Sequence, residues 1–316
     1  MTPAYLPRRV TIAVLQVLGV AVAVFALSAL LPGDTAVVVL GKHGTPEQIE
    51  ALRRELGLDE PFGQRLLEWF TGLLRGDLGT SLLTGAPVTA EISDGLATTA
   101  VLTATTLAVI VPLALAVGVL TGLRQGSPLD RTVNSVIVML DSIPEFALGL
   151  LLVALFSLRL GWLPPTAAGL SGTSLITHPA VLVLPVAVLV CKQLCALARQ
   201  IRIGVAEANT AEYARHARMH GLRERTVLLR HVLPNAAAPS VQQFARTVDG
   251  LLGGVVVVEA LFALPGLGSG FVDAVMARDL PTVQGYALVF AATTVTVNLL
   301  ADITAYRLVP RHRGSP

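Results

Sequence analysis

Asp141 and Glu145 stand four residues apart around Pro144, inside an apolar run that stretches from Thr132 to Leu158. An ionised acid at such a depth costs about 2.5 kcal/mol or more unless it faces protein or water. Two such acids therefore either line a hydrated cavity on a translocation path or are neutralised by a cation such as Arg246 from another segment. Arg246 and Asp249, three residues apart, could equally satisfy each other. Glu259 lies seven residues before Gly266 in a further apolar run, where it could anchor a gate at the outer end. All of this is the chemistry of passage, of ions or of substrate, and none of it breaks a bond.

Other reactive residue types point elsewhere. His216 and His220 share a helical face at metal-ligand spacing, but no His-Glu-x-x-His pattern surrounds them and no third ligand is near, so zinc is not expected. Cys191 and Cys195 also share a face and read as buried thiols in a packed helix. No Gly-x-x-x-x-Gly-Lys-Ser/Thr loop is present, so no nucleotide site is expected on this chain. No Ser-His or Cys-His pairing has local support, and Ser93 with Asp94 reads as an ordinary helix start. The expectation is a protein without catalytic residues, resident metal or cofactor.

The elements that hold these residues are set by hydropathy. Of 316 residues 53% are hydrophobic and 14% charged, and the mean hydropathy is +0.69, which argues for a polytopic membrane protein. A formal charge of +2 is too small to suggest nucleic acid. The two cysteines build no disulfide framework. Apolar windows predict spans near Val10–Leu31, Leu96–Leu123, Thr132–Leu158, Ala180–Leu197, Val241–Ala263 and Val283–Ala305. The first follows Arg8 and Arg9 as a secretory signal would, but its 22 uncharged residues exceed the usual core of about 7 to 15, so it is expected to stay as a membrane helix.

Six spans put both termini on one side. The basic residues decide which: Arg8, Arg9, Arg124, Arg131, Lys192, Arg199, Arg202, Arg215, Arg218, Arg223, Arg225, Arg230, Arg246, Arg307, Arg311 and Arg313 all fall on the side of the termini. By the positive-inside rule that side is the cytoplasm. Lys42, Arg53, Arg54, Arg65, Arg75, Arg159 and Arg278 fall outside, five of them in a loop long enough to matter less. That loop, 32–95, carries ten acidic and five basic side chains and is expected to be a small extracytoplasmic domain. Thr45-Pro46-Glu47-Gln48 reads as a helix start, followed by Ile49, Leu52 and Leu56 at helical spacing. Phe62, Leu66, Trp69, Phe70 and Leu73 form a second amphipathic helix suited to the membrane surface. The predicted organisation is residues 1–31, 32–95, and a five-helix core over 96–316.

Within that core, residues 198–235 form a basic cytoplasmic insert. Its helical periodicity runs from Ile203 through Met219, breaks at Gly221 and resumes from Glu224 to Val232, giving two short helices bent into one knob. Pro234 then fixes the entry into the fifth span.

Here the chain resembles a family. Ala217, Gly221 and Leu233-Pro234, at their spacing, resemble the EAA loop of bacterial ABC-importer permeases. Glu212-Tyr213-Ala214-Arg215-His216-Ala217-Arg218, Gly221-Leu222, Arg230-His231 and Asn235 are similar to the dipeptide, oligopeptide and nickel branch. Pro32-Gly33-Asp34, Thr45 to Ile49, Arg75 to Gly79, Pro265-Gly266-Leu267-Gly268, Arg278-Asp279 with Pro281, Gln284-Gly285 and Pro310-Arg311 fit that branch in order, so the resemblance covers almost the whole chain. Arg215-His216-Ala217 stands where the general motif has Glu-Ala-Ala, which leaves Glu212 to supply the acid, and His231 stands where Ile is usual.

The resemblance implies an all-α membrane protein of six transmembrane helices, with the outer domain after the first and a cytoplasmic coupling-helix loop before the fifth. It implies a permease subunit in a prokaryotic inner membrane, paired with a second homologous permease, two cytoplasmic ATPase subunits that hold ATP and Mg, and an extracytoplasmic binding protein that delivers di- or oligopeptides. Glu212, Tyr213, Arg215, His216, Ala217, Arg218, Gly221, Leu233 and Pro234 would couple to the ATPase. Asp141, Pro144, Glu145 and Glu259 would line the path. Pro265, Gly266, Gly268, Arg278 and Asp279 would form the outer gate or the binding-protein contact. Nickel chelates and glycosides remain alternative cargoes. An ion-coupled secondary transporter, with Asp141 and Glu145 as cation sites, is the rival class, although no inverted repeat supports it.

Overall fold

The computed structural model describes residues 5–30, 37, 45–55 and 59–308. Pro32-Gly33-Asp34, Pro310-Arg311, the expected span end at Leu31, and Leu56 lie outside the described residues. Among the described residues the regular structure is helical, with one isolated bridge between Thr80 and Pro87. In chain order the helices are α1 (Tyr5–Leu30), α2 (Pro46–Glu55), α3 (Phe62–Leu74), α4 (Val88–Leu123), α5 (Pro128–Ser142) and α6 (Glu145–Leu152, followed by a wider turn over Val153–Arg159). They continue as α7 (Ala180–Thr210), α8 (Glu212–Met219), α9 (Glu224–Val227, widening over Leu228–Val232), α10 (Leu233–Phe262), α11 (Leu267–Ala277) and α12 (Leu280–Leu308). Pro7–Ser28, Val88–Leu123, Ala180–Thr210 and Leu280–Thr304 are each long and apolar enough to cross a membrane. Six spans result if α5 with α6, and Ser240–Phe262 with α11, each count as one.

The chain divides into two compact units. The first holds the described residues of Met1–Thr99, Leu170–Thr173 and Pro265–Val295. Its core is Val88, Ile92, Leu267, Ala274 and Tyr286, flanked by Phe271 and Phe290 packed edge to face with ring centroids 5.9 Å apart. Close approach depends on small residues: a Cβ on Gly285 would lie 2.6 Å from Val88 Cγ1, and one on Gly95 would lie 3.1 Å from the Gly266 carbonyl carbon. At the start of α2 the Gln48 N–H donates to Thr45 Oγ1 at 3.3 Å while the Thr45 N–H donates to Gln48 Oε1 at 3.0 Å, a reciprocal cap. The aromatic stripe of α3 packs on α1, with Phe62 and Trp69 at 5.4 and 5.5 Å from Phe25.

The second unit holds the described residues of Ala100–Gly169, Ser174–Leu264 and Thr296–Pro316. Gly118 and Gly122, one turn apart on α4, seat on α7: added Cβ atoms would lie 2.7 Å from Ile201 Cβ and 2.8 Å from the Arg202 carbonyl oxygen. This is the small-residue packing by which apolar helices approach closely without a hydrophobic drive. Two elements differ from the sequence-based expectation. The third apolar run is not one helix: α5 and α6 meet at 100°. Pro144 disfavours helical geometry at the residue before it, and Ile143 is extended at φ −77°, ψ 128°. Beyond Leu197, α7 continues for thirteen residues to Thr210, about 20 Å of further rise.

Candidate functional site

The basic insert folds as an elbow. The periodicity from Ile203 to Met219 predicts one helix, but Ala211 is extended at φ −63°, ψ 151°, and separates α7 from α8. The break leaves the Asn209 carbonyl without its helical partner, and Arg218 takes it. Arg218 Nη1 donates to that oxygen at 2.9 Å, Nη2 donates to Asn209 Oδ1, and Nε donates to Glu224 Oε1 at 2.9 Å. One guanidinium thus ties the end of α7, α8 and the start of α9. On α8, Ala214 and Ala217 are buried, while Glu212, Tyr213, Arg215, His216 and Met219 are exposed. Partial burial raises the Tyr213 phenol above its ordinary value.

Gly221 terminates α8 at φ +75°. The Leu222 N–H donates to the Ala217 carbonyl at 3.3 Å and the Gly221 N–H to the Arg218 carbonyl at 2.9 Å, the paired bonds of a Schellman ending. Val227 and Val232 bury the second arm, and Leu233, half-buried, and Pro234, exposed, open α10. The His216 and His220 rings lie 4.4 Å apart. Among the described residues no group of three metal-ligating side chains forms a site.

The second polar cluster sits at the break between α5 and α6. Asp141 lies in the last turn of α5 and Glu145 in the first turn of α6. The cation that meets Asp141 is Lys192 of α7, which sequence reading used only for topology. Its Nζ donates to the Asp141 carbonyl, donates to the Ile143 carbonyl at 3.1 Å, and stands 3.7 Å from Asp141 Oδ1. A lysine followed by Gln193 within an apolar helix was the available signal. On α10, Gly250 and Gly254 make room for polar groups: added Cβ atoms would lie 2.6 Å from Gln193 Nε2 and 3.0 Å from Glu145 Oε1. The Glu145 carboxylate makes no hydrogen bond or ion pair among the described residues. Arg246 is exposed, and Asp249 accepts from Asn298 Nδ2 at 2.7 Å. Glu259 is fully buried.

A third cluster, absent from the sequence reading, centres on Asp130, only 2% exposed. Arg202 grips it at both oxygens, Nε to Oδ1 and Nη2 to Oδ2, each at 2.7 Å. The Gly126 N–H donates to Oδ2 at 2.8 Å and Asn134 Nδ2 to Oδ1 at 2.6 Å. The turn before α5 is thereby fixed to the extension of α7. The spacing of 72 residues hides this pair from any local pattern.

Of the residues expected at the outer end, Pro265 and Arg278 are exposed, and Gly266, Gly268 and Asp279 are buried. Gly266 precedes α11, whose first N–H, on Leu267, donates to Thr99 Oγ1 at 2.8 Å. Arg278 closes α11 in the left-handed region at φ +56°. Asp279 caps α12 and holds a loop, accepting from Ser81 Oγ and from the Leu82 N–H at 3.2 Å.

Helices of spanning length, a broken apolar segment with a polar cluster at its break, and a bent helical elbow together describe a multi-pass membrane transport component. The chain belongs to the family of binding-protein-dependent transport system inner membrane components, whose model matches residues 114–314. The N-terminal model of the same system matches residues 3–103. A Brucella melitensis protein named "Putative peptide transport system permease protein" is 37% identical over 313 residues, 99% of each chain. The glutathione transport system permease protein GsiC of Pectobacterium atrosepticum is 37% identical over 295 residues, 93% of this chain and 94% of its own. That of Salmonella typhi is 34% identical over 309 residues, 98% of each.

Proposed function

We propose that this chain is one of two membrane-spanning subunits of an ATP-driven importer that moves di- or oligopeptides handed over by an extracytoplasmic binding protein. The observation that carries the reading is the elbow, in a chain of the binding-protein-dependent family. Its bend is internally locked by Arg218 and Gly221, while Tyr213, Arg215, His216 and Met219 remain exposed for a partner. A rigid knob with an amphipathic exposed face is suited to sit in a groove of a cytoplasmic ATPase and to carry its motion. Ala217 packs the knob against the body of the second unit, Glu212 supplies acid at the start of α8, and Leu233-Pro234 passes the displacement into α10. ATP and Mg reside on the ATPase subunits, and both termini of this chain face the cytoplasm.

In this reading the break at Pro144 belongs to the path, with Asp141 held by Lys192 and the unpaired Glu145 carboxylate available to a passing ammonium group. The same arrangement disfavours an ion-coupled carrier. The carbonyls freed at the helix break, which would coordinate a metal cation, are already taken by the Lys192 ammonium. Relatives named for peptide and glutathione transport support the cargo class.

The test is co-reconstitution with the second permease, the two ATPases and the binding protein in proteoliposomes. Peptide uptake should require ATP and every partner. Uptake by the single chain under an ion gradient would overturn the proposal.

A further inference from the structure

We propose that α3 is an interfacial helix whose second apolar side, formed by Leu67 and Leu74, is buried in the lipid of one leaflet. Its surface divides into three sectors. Phe62 and Trp69, two turns apart, close on the single ring of Phe25 with centroids at 5.4 and 5.5 Å, so α3 meets α1 at that level. Leu67 and Leu74 stand about 120 to 140° round the helix from Phe62, counting about 100° per residue. They are 67% and 86% exposed, and Gly63 beside them is exposed too. Gln64, Glu68 and Thr71 fill the third sector, about 180 to 240° round. All three are exposed, and Gln64 Nε2 donates to Glu68 Oε1 at 3.3 Å. A single exposed leucine needs no explanation. Two on one sector of a helix whose other sides meet protein and carry polar groups call for an occupant.

The level of the contact says what that occupant is. Phe25 lies three residues before the end of the apolar run Pro7–Ser28, about 5 Å of helical rise. A second span marks the same height: Gln284, near the start of Leu280–Thr304, donates from Nε2 to Ser28 Oγ at 2.6 Å. Two spans that end side by side mark the boundary where hydrocarbon gives way to headgroups. Helices that lie in this boundary bury their apolar face about 5 to 10 Å into it, the depth at which Phe25 holds α3. Trp69 is of the type that gathers at this level. Of the two sectors left free by α1, the uncharged one therefore belongs against acyl chains and the polar one in water. In the orientation proposed above this is the outer leaflet, but the contact itself needs only a chain inserted in a bilayer.

The test spin-labels Leu67→Cys, Leu74→Cys, Gln64→Cys and Glu68→Cys one at a time, in a full chain that also carries Cys191→Ala and Cys195→Ala. Each is reconstituted in nanodiscs of phosphatidylcholine and phosphatidylglycerol, and the label's access to oxygen, which concentrates in lipid, is compared with its access to a water-soluble nickel chelate. The oxygen-to-chelate ratio should be at least fivefold higher at Leu67→Cys and Leu74→Cys than at Gln64→Cys and Glu68→Cys. All four side chains are exposed, and thermal unfolding checks that each variant is folded. Should the chain without its native cysteines be unstable, Trp69 fluorescence in the Trp162→Phe chain replaces the labels. Its quenching by lipids brominated near the headgroup should fall severalfold in Leu67→Asp/Leu74→Asp. Equal ratios at the four positions, chelate access at the leucine positions, or quenching unchanged by the two aspartates overturns the proposal. Protection of the leucine positions from both reagents also overturns it, because a second copy of the chain would then cover the face. In the transporter assembled with its second permease, ATPases and binding protein the ratios should stay as they are. Loss of oxygen access there would give the face to another subunit instead of to lipid.

Discussion

Replacing Gly221 isolates the elbow from everything else in the chain. A Cβ built at this position meets nothing within 4 Å, so no substitution is penalised by a clash there. The whole cost lies in the backbone, held at φ +75°. Alanine in the left-handed region costs about 1 to 2 kcal/mol. A β-branched valine is a genuine outlier there, at about 2 to 3 kcal/mol. Asparagine, which visits this region routinely, should cost less than about 1 kcal/mol. Since every 1.4 kcal/mol is tenfold, about 2 kcal/mol lowers the population of the bent form about 30-fold. It also releases the two carbonyls, of Ala217 and Arg218, that the Schellman bonds satisfy. None of this touches the packing of the spanning helices, so membrane expression should match the native chain. ATPase pull-down and ATP-dependent uptake should fall in the order Gly221, Gly221→Asn, Gly221→Ala, Gly221→Val. A valine variant with full pull-down and uptake would refute the elbow as the coupling element. An asparagine variant as defective as valine would refute the backbone argument and point to the side chain itself.

Asp130→Ala leaves Arg202 without its bidentate partner in a largely buried site and should cost about 3 kcal/mol, seen as a lower melting temperature of the detergent-purified protein. The Asp130→Leu/Arg202→Leu pair should recover part of it, and equal losses would contradict the pairing. Lys192→Met strands the carbonyls of Asp141 and Ile143 and should cost about 2 kcal/mol, with uptake lost as well, whereas Lys192→Arg should retain most of both. Gly118→Ala places a Cβ 2.7 Å from Ile201 and 2.8 Å from the Ala198 carbonyl oxygen. It should destabilise by about 1 to 3 kcal/mol, while Gly253→Ala, in open space, should be close to neutral in the same melt.

The apolar runs of the sequence correspond to α1, α4, the α5–α6 pair, α7, α10 and α12, because hydropathy over about 19 residues needs no knowledge of partners. The bend at Gly221 was equally legible, since only its own backbone, at φ +75°, decides that the helix ends there. What sequence reading did not reach depends on residues far apart in the chain. Pro112 and Pro185 sit inside continuous helices, yet Pro144 marks a break, so proline alone does not decide. At Pro144 the freed carbonyls are collected by Lys192, some fifty residues on. The end of α7 follows the same rule, with Arg218 collecting the Asn209 carbonyl. Both cations stand at helix C-termini, where orphan carbonyls and the helix dipole favour positive charge. A reader who assigns basic residues to membrane topology alone credits Lys192 and Arg218 to the cytoplasmic side and stops there. The structure gives each a second task, holding shut a break on which the proposed movement depends. Conservative exchange should then separate the two tasks, because topology asks only for charge, whereas the staple asks for donor geometry. Arg218→Lys keeps the charge but cannot span Asn209 and Glu224 together, so it should insert normally and still weaken ATPase association. Association at native strength would mean that the charge of Arg218, not its staple, is what the elbow requires.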